Sequence, residues 1–128
     1  MKTQNTPRRM PMLEDLQKIN EKHEDGPFED KWTNGNIRSK GTYKNGELDG
    51  KYEEYNETGI KIIETEYSNG QKNGKEIEYN DDGSLYMESE FKNNKRNGIT
   101  KRYTDNIVTS EETYVDGKLT SKTNYKKA

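Results

Sequence analysis

Glycines recur along this chain with a spacing of 24 residues. Gly26, Gly50, Gly74 and Gly98 form one series, and Gly35, Gly59 and Gly83 a second. A third runs through Gly46 and Gly70, places Asn94 in the glycine slot, and closes one residue early at Gly117. Ten of the eleven glycines lie on this lattice, Gly41 being the exception, and nine of the ten follow Asn or Asp. Asn-Gly and Asp-Gly suit the left-handed backbone of tight hairpin turns. A fixed period of this size means that one supersecondary unit is repeated along the chain.

The segments between the turns read as short strands. The spacing predicts strands near 28–32, 36–44, 50–56, 60–68, 74–80, 84–92, 98–104, 107–115 and 119–126. Aromatic residues keep the same register. Tyr43, Tyr67, Phe91 and Tyr114 hold one slot, and Tyr55, Tyr79 and Tyr103 a second, with Lys31 beside Trp32 in the first unit. Phe28 and Tyr52 share a third slot, which Glu76 and Thr100 then take over. Alternation puts Leu85, Met87, Ser89 and Phe91 on one face of their strand. The last units depart from the pattern. Asn94 and Asn106 replace glycine, Tyr103 to Asn106 is one residue short, and Ser121 stands near the place of a fifth glycine. Asn can still take the left-handed conformation. Lys118, Lys122, Lys126 and Lys127 on the last strand guard an edge against strand-on-strand aggregation.

The chain has 128 residues, and Leu, Ile, Val and Phe make up only 17 of them. That is too little for a thick two-layer core. A net charge of -2 and the strict register argue against disorder. The expectation is a thin sheet whose buried face is mostly Tyr, with aromatic ladders running along it. Ahead of the repeats, residues 1–11 read as a flexible arm. Residues 12–24 read as a short capping helix, with Met12, Leu13, Leu16 and Ile19 on one face and a stop at Asp25-Gly26-Pro27. The division is therefore 1–25 for arm and helix and 26–128 for about four repeat units. There is no cysteine. Met1 to Met12 shows no apolar signal region and no stretch is long enough to span a bilayer, so a cytoplasmic location is the expectation.

The run from Gly26-Pro27-Phe28-Glu29 through Asn34-Gly35-Asn36 to Gly41-Thr42-Tyr43-Lys44-Asn45-Gly46, with Asp49-Gly50-Lys51-Tyr52, resembles the bacterial variant of the MORN repeat. The likeness covers residues 26–125. Lys31, Asn94, Asn106 and the one-residue deletion depart from the pattern. The resemblance implies an all-β fold: an elongated, twisted antiparallel sheet of successive β-hairpins. It also implies binding rather than catalysis, and the role of an antitoxin or immunity protein paired with a toxin.

Catalytic chemistry has little to work with. His23 is the sole histidine, so neither a His-based metal cluster nor a Ser-His-Asp triad can be built. Asn80-Asp81-Asp82-Gly83 lacks the spacing and closing Glu of a calcium loop and reads as a turn. The glycines follow a hairpin rhythm and precede no helix, so no phosphate loop is present. The expectation is no catalytic residue, no metal and no cofactor.

Charge is distributed unevenly. Residues 47–90 hold 13 Asp/Glu against 4 Lys/Arg, residues 91–128 hold 4 against 9, and residues 1–46 hold 7 against 9. An acidic middle lies between basic ends. It suits a basic protein partner, such as a toxin that binds phosphate, better than nucleic acid or a membrane. The acids expected to meet that partner are Glu53, Glu64, Glu66, Glu76, Glu78, Asp81 and Asp82. A second reading is a scaffold module whose basic C-terminal units, with Lys95, Arg96, Lys101 and Arg102, meet anionic lipid.

Overall fold

The computed structural model describes residues 24–125. The expected arm, the helix expected over 12–24 save its last residue, and His23 lie outside them. The strands are β1 (Gly26–Lys31), β2 (Ile37–Lys44), β3 (Glu47–Leu48), β4 (Gly50–Tyr55), β5 (Lys61–Ser68), β6 (Gln71–Tyr79), β7 (Leu85–Lys92), β8 (Lys95–Arg96), β9 (Gly98–Thr104), β10 (Ile107–Val115) and β11 (Lys118–Asn124). They form one antiparallel sheet in the order β1-β2-β4-β5-β6-β7-β9-β10-β11, with the short β3 on β2 and β8 on β7. Every expected strand is present, its ends displaced by at most three residues.

Two kinds of turn line the two edges. On one edge both central residues of Asn45-Gly46, Asn69-Gly70, Asn93-Asn94 and Asp116-Gly117 have positive φ. That is the type I′ geometry whose twist matches the flanking strands. Asn94 sits in the glycine slot at φ 70°, against 81° for Gly46. Each turn then bonds to the preceding unit. Gly70 N donates to Leu48 O at 2.9 Å, Asn94 N to Lys72 O at 2.9 Å and Gly117 N to Arg96 O at 2.7 Å. Side chains add to this: Asp49 Oδ1 accepts from Asn69 N and Asn97 Oδ1 from Asp116 N.

The opposite edge uses longer turns closed by Trp32 to Asn36, Asn56 to Ile60 and Asn80 to Ser84, each with a backbone hydrogen bond of 2.8–2.9 Å. These too are tied across units. Asn34 and Asn36 each donate from Nδ2 to Glu57 O at 2.8 Å, and Asn56 Nδ2 reaches Asp81 O. The fourth unit changes turn type. Tyr79 pairs with Leu85, but Tyr103 pairs with Val108 across a two-residue turn in which Asp105 and Asn106 both have positive φ. The missing residue between Tyr103 and Asn106 is thus a switch to a tighter hairpin. Asn106 Oδ1 still accepts from Leu85 N at 2.9 Å, so the link between units survives.

The expected tyrosine-lined buried face is corrected. Residues directly opposite on paired strands share a face, as do alternate residues along one strand. Tyr43, Tyr52, Tyr67, Phe91 and Tyr114 therefore lie on one side, here the core face, with Thr65, Glu76, Ser89 and Thr100. Tyr55, Tyr79 and Tyr103 project from the other, charged face. Among the described residues the best-shielded side chains are Thr65, Ser89 and Thr100, at 1% exposure, and only Trp32 and Met87 are buried apolar ones. Within the described sheet, short side chains are hidden beneath tall neighbours while the tall ones stay half-exposed. The aromatic ladder is also short. Phe28 stacks near Tyr43 (4.8 Å between centroids) and Tyr52 meets Tyr67 edge-on (5.8 Å). Beyond them cations intervene: Lys72 lies over Phe91, and Arg96 over both Phe91 and Tyr114.

Substituting Gly46 separates backbone from packing. A Cβ there meets nothing within 4 Å, so Gly46→Ala should cost only the left-handed conformation, about 1–2 kcal/mol. A thermal melt should show the loss, on the order of 4–8 °C per kcal/mol. Gly46→Asn should stay close to the parent, since Asn94 already serves in the equivalent slot. Equal damage from both substitutions would refute the argument.

Candidate binding surface

The charged face is built around like charges set side by side. Glu53 and Glu64 are direct cross-strand partners on β4 and β5, an arrangement that repels. Lys61 resolves it, with Nζ 2.6 Å from Glu53 and 3.0 Å from Glu64. Lys40 adds to Glu53 at 3.8 Å and Lys51 to Glu64 at 3.6 Å. The hydrogen bond to Glu53 comes first in raising the Lys61 ammonium above its usual range, and that to Lys61 first in holding Glu64 below its own. A second knot joins β6, β7 and β9: Glu88 accepts from Lys75 at 3.2 Å and from the Tyr103 hydroxyl at 3.0 Å. Burial alone would raise Glu88, but these bonds outweigh it and its pKa is lowered.

The core face has its own charges. Glu76 Oε2 accepts from Thr65 Oγ1 at 2.9 Å and from Lys72 Nζ at 2.7 Å. Glu112 takes the Tyr114 hydroxyl at 3.1 Å, Arg102 at 3.3 Å and Lys122 at 3.6 Å. Burial opposes ionisation of Glu112, yet these partners keep its pKa lowered. Glu54 accepts the Tyr52 hydroxyl at 2.8 Å. Burial first, then the Glu54 charge, pushes that phenol well above its usual range.

The seven acids expected to face a partner are not brought together. Glu53, Glu64 and Glu66 lie on the charged face, Glu76 and Glu78 on the core face, and Asp81 and Asp82 in a turn at the edge. The grouping is corrected at Glu76, which is 7% exposed and spent on Thr65 and Lys72. Glu53 and Glu64 are half-buried in ion pairs. Of the seven, Glu66, Asp81 and Asp82 are exposed. Asp82 accepts from Ser84 N and Oγ, which lowers its pKa, the hydroxyl bond contributing first. Reading acids by alternation alone missed the lysines that consume them. Lys72 stands four residues before Glu76, and that spacing was the available signal.

One edge keeps its negative charge. Lys51, Lys61, Lys72 and Lys75, the bases of the acidic middle, all engage glutamates within the sheet. Glu57, Asp81, Asp82 and Asp105 project from the longer-turn edge and its tight final hairpin, and turn residues 33–36, 56–60, 80–84 and 104–106 contain no Lys or Arg. All four acids are exposed. The surface thus offers an acidic ridge along one edge and a neutralised lattice on the charged face. Among the described residues no His, Cys, Asp and Glu group could hold a metal ion, and no helix is long and apolar enough to cross a membrane.

The MORN repeat variant model matches residues 24–45, 48–69 and 72–93, just over half of the chain. The matched segments start 24 residues apart, in step with the glycine lattice and with the hairpins of the sheet. The chain belongs to the MORN repeat variant family. No curated protein matches it.

The ion pairs fix a pH response. Glu64, Glu88 and Glu112 have folded pKa values below the ordinary 4.5. Each contributes stability that is present above 4.5 and lost as pH falls through the folded value, because the unfolded chain binds protons first. The melting temperature should fall on acidification below about pH 4.5, and Glu64→Gln should flatten that slope. At neutral pH, Lys61→Met should cost more than Lys51→Met, by up to about 1 kcal/mol. Equal losses would show that Lys61 does not relieve the Glu53–Glu64 pair.

Proposed function

We propose that the protein is a non-catalytic binding protein, an antitoxin or immunity protein that neutralises a basic toxin by covering its functional surface. The observation that carries this reading is the acidic ridge of Glu57, Asp81, Asp82 and Asp105 on a chain whose middle bases are all taken up internally. MORN repeats often serve as protein- or membrane-binding modules, which is in keeping with it. A toxin that handles nucleic acid must present cationic side chains to phosphate. An acidic ridge that competes for them gains association rate and specificity. The contact residues drawn from the sequence narrow to Asp81 and Asp82, joined by Glu57 and Asp105, while the exposed Glu66 lies off the ridge on the charged face.

A second reading, a scaffold at an anionic lipid surface, draws on the basic C-terminal units. There Lys95 and Lys118 are exposed. Flotation with anionic liposomes at low salt separates the two readings, since the toxin reading expects the protein to stay with the aqueous fraction.

The direct test is co-expression with the product of the adjacent gene. That product should arrest growth alone and co-purify with this protein. Glu57→Lys combined with Asp81→Lys should slow association and reduce its salt dependence, leaving the melting temperature nearly unchanged, since neither side chain bonds within its turn as Asp82 does. A neighbouring product that is harmless by itself overturns the proposal.

A further inference from the structure

The repeat supplies its own comparison between units. In the third unit Tyr67 pairs with Lys72 and Thr65 with Glu76, and the Glu76 carboxylate lies between Thr65 Oγ1 and Lys72 Nζ. Twenty-four residues on, Ser89 replaces Thr65, Arg96 replaces Lys72 and Thr100 replaces Glu76. The register repeats, because Phe91 pairs with Arg96, and Met87↔Arg102 with Glu88↔Lys101 carries on to set Ser89 beside Thr100. The fourth unit therefore keeps the hydroxyl and the cation and has lost the acid between them.

Two groups record the loss. Arg96 Nε and Thr100 Oγ1 are buried without a hydrogen-bond partner, and Thr100 is 1% exposed. Leaving a buried donor unsatisfied is costly, so a native structure with two together calls for a physical reason. The Arg96 guanidinium lies against the rings of Phe91 (5.6 Å) and Tyr114 (5.7 Å). The acid across the strand pair is Glu112, opposite Thr100, and it is already occupied by Arg102, Lys122 and Tyr114. Glu90 belongs to the other face, where it accepts from Ile99 N at 2.7 Å.

We propose that Arg96, Thr100 and Ser89, beside the rings of Phe91 and Tyr114, form a receptor for a carboxylate, filled by an acidic side chain of a bound protein segment. The incoming carboxylate takes the place that Glu76 holds in the third unit. Arg96 presents a planar fork matched to two carboxylate oxygens, which the equivalent Lys72 cannot offer. Thr100 is shorter than Glu76 and supplies no acid of its own to Arg96. The inference does not rest on the toxin reading, since it concerns an acid on the partner and the opposite sign of surface.

The test follows the Arg96 Nε–Hε resonance in the labelled full-length protein, assigned with Arg96→Lys. Sodium acetate and a blocked tetraglutamate peptide are titrated against sodium chloride at matched ionic strength. Both carboxylates should shift the resonance, the peptide at lower concentration, and chloride should not. Thr100→Glu should rebuild the internal ion pair, abolish both shifts and raise the melting temperature. Responses to both carboxylates no larger than to chloride, or shifts that persist in Thr100→Glu, would overturn the receptor. Acetate binding with no gain for the peptide would overturn the protein-segment occupant and assign the site to free small anions. If Thr100→Glu does not fold, the titration of the unaltered protein decides alone.

Discussion

The described sheet is held together sideways, along its two edges. Here the holding bonds run from each turn to the turn one unit on. Gly70 to Leu48, Asn94 to Lys72 and Gly117 to Arg96 join one edge, and Asn34 and Asn36 to Glu57 and Asn56 to Asp81 join the other. These bonds favour turns recurring at a near-constant spacing, which is why the glycines keep their period while the residues between them vary, and the one tighter turn, at Asp105-Asn106, keeps its link through Leu85. Stability in such a chain is approximately a sum of unit and neighbour terms. Buried apolar side chains contribute little of it, with Trp32 and Met87 the only examples among the described residues.

The same geometry leaves one slot free to change. Phe28, Tyr52, Glu76 and Thr100 occupy it in successive units, over a constant backbone. The first two pack rings against Tyr43 and Tyr67, the third forms an ion pair, and the fourth leaves Arg96 without an acid. Chemistry therefore changes along the sheet while the lattice does not. The charged face follows the opposite logic. Glu53 and Glu64 look like a binding patch but neutralise each other's surroundings through Lys61.

The hairpins were legible in the sequence because Asn-Gly and Asp-Gly encode a backbone sign, and Asn94 and Asn106 could be read as stand-ins. The faces were not. Register shifts at Asp30/Lys31, Glu54/Tyr55 and Glu78/Tyr79 move side chains relative to their neighbours, and no residue type announces them. At Glu76 a further shift, between Thr65 and Tyr67, brings Lys72 of its own strand and Thr65 of the neighbouring one onto its carboxylate, so an acid placed among the exposed ones is buried. Charge totals were readable, but pairing was not, since a lysine's reach depends on which strand lies beside it. Asp81 and Asp82 stay exposed because turn tips stand clear of the cross-strand pairing.

The strand order has a consequence for growth. Nine strands alternate in direction along the main path, so β1 and β11 point the same way. A second copy carried forward by simple translation would meet the first across a parallel seam, unlike every internal junction. Pro27 in β1 brings no amide hydrogen to such a seam, and β11 brings Lys118 and Lys122. An odd number of strands thus acts as a parity rule: copies related by translation alone cannot continue the antiparallel pattern, whereas copies related by a two-fold axis pair like edge with like.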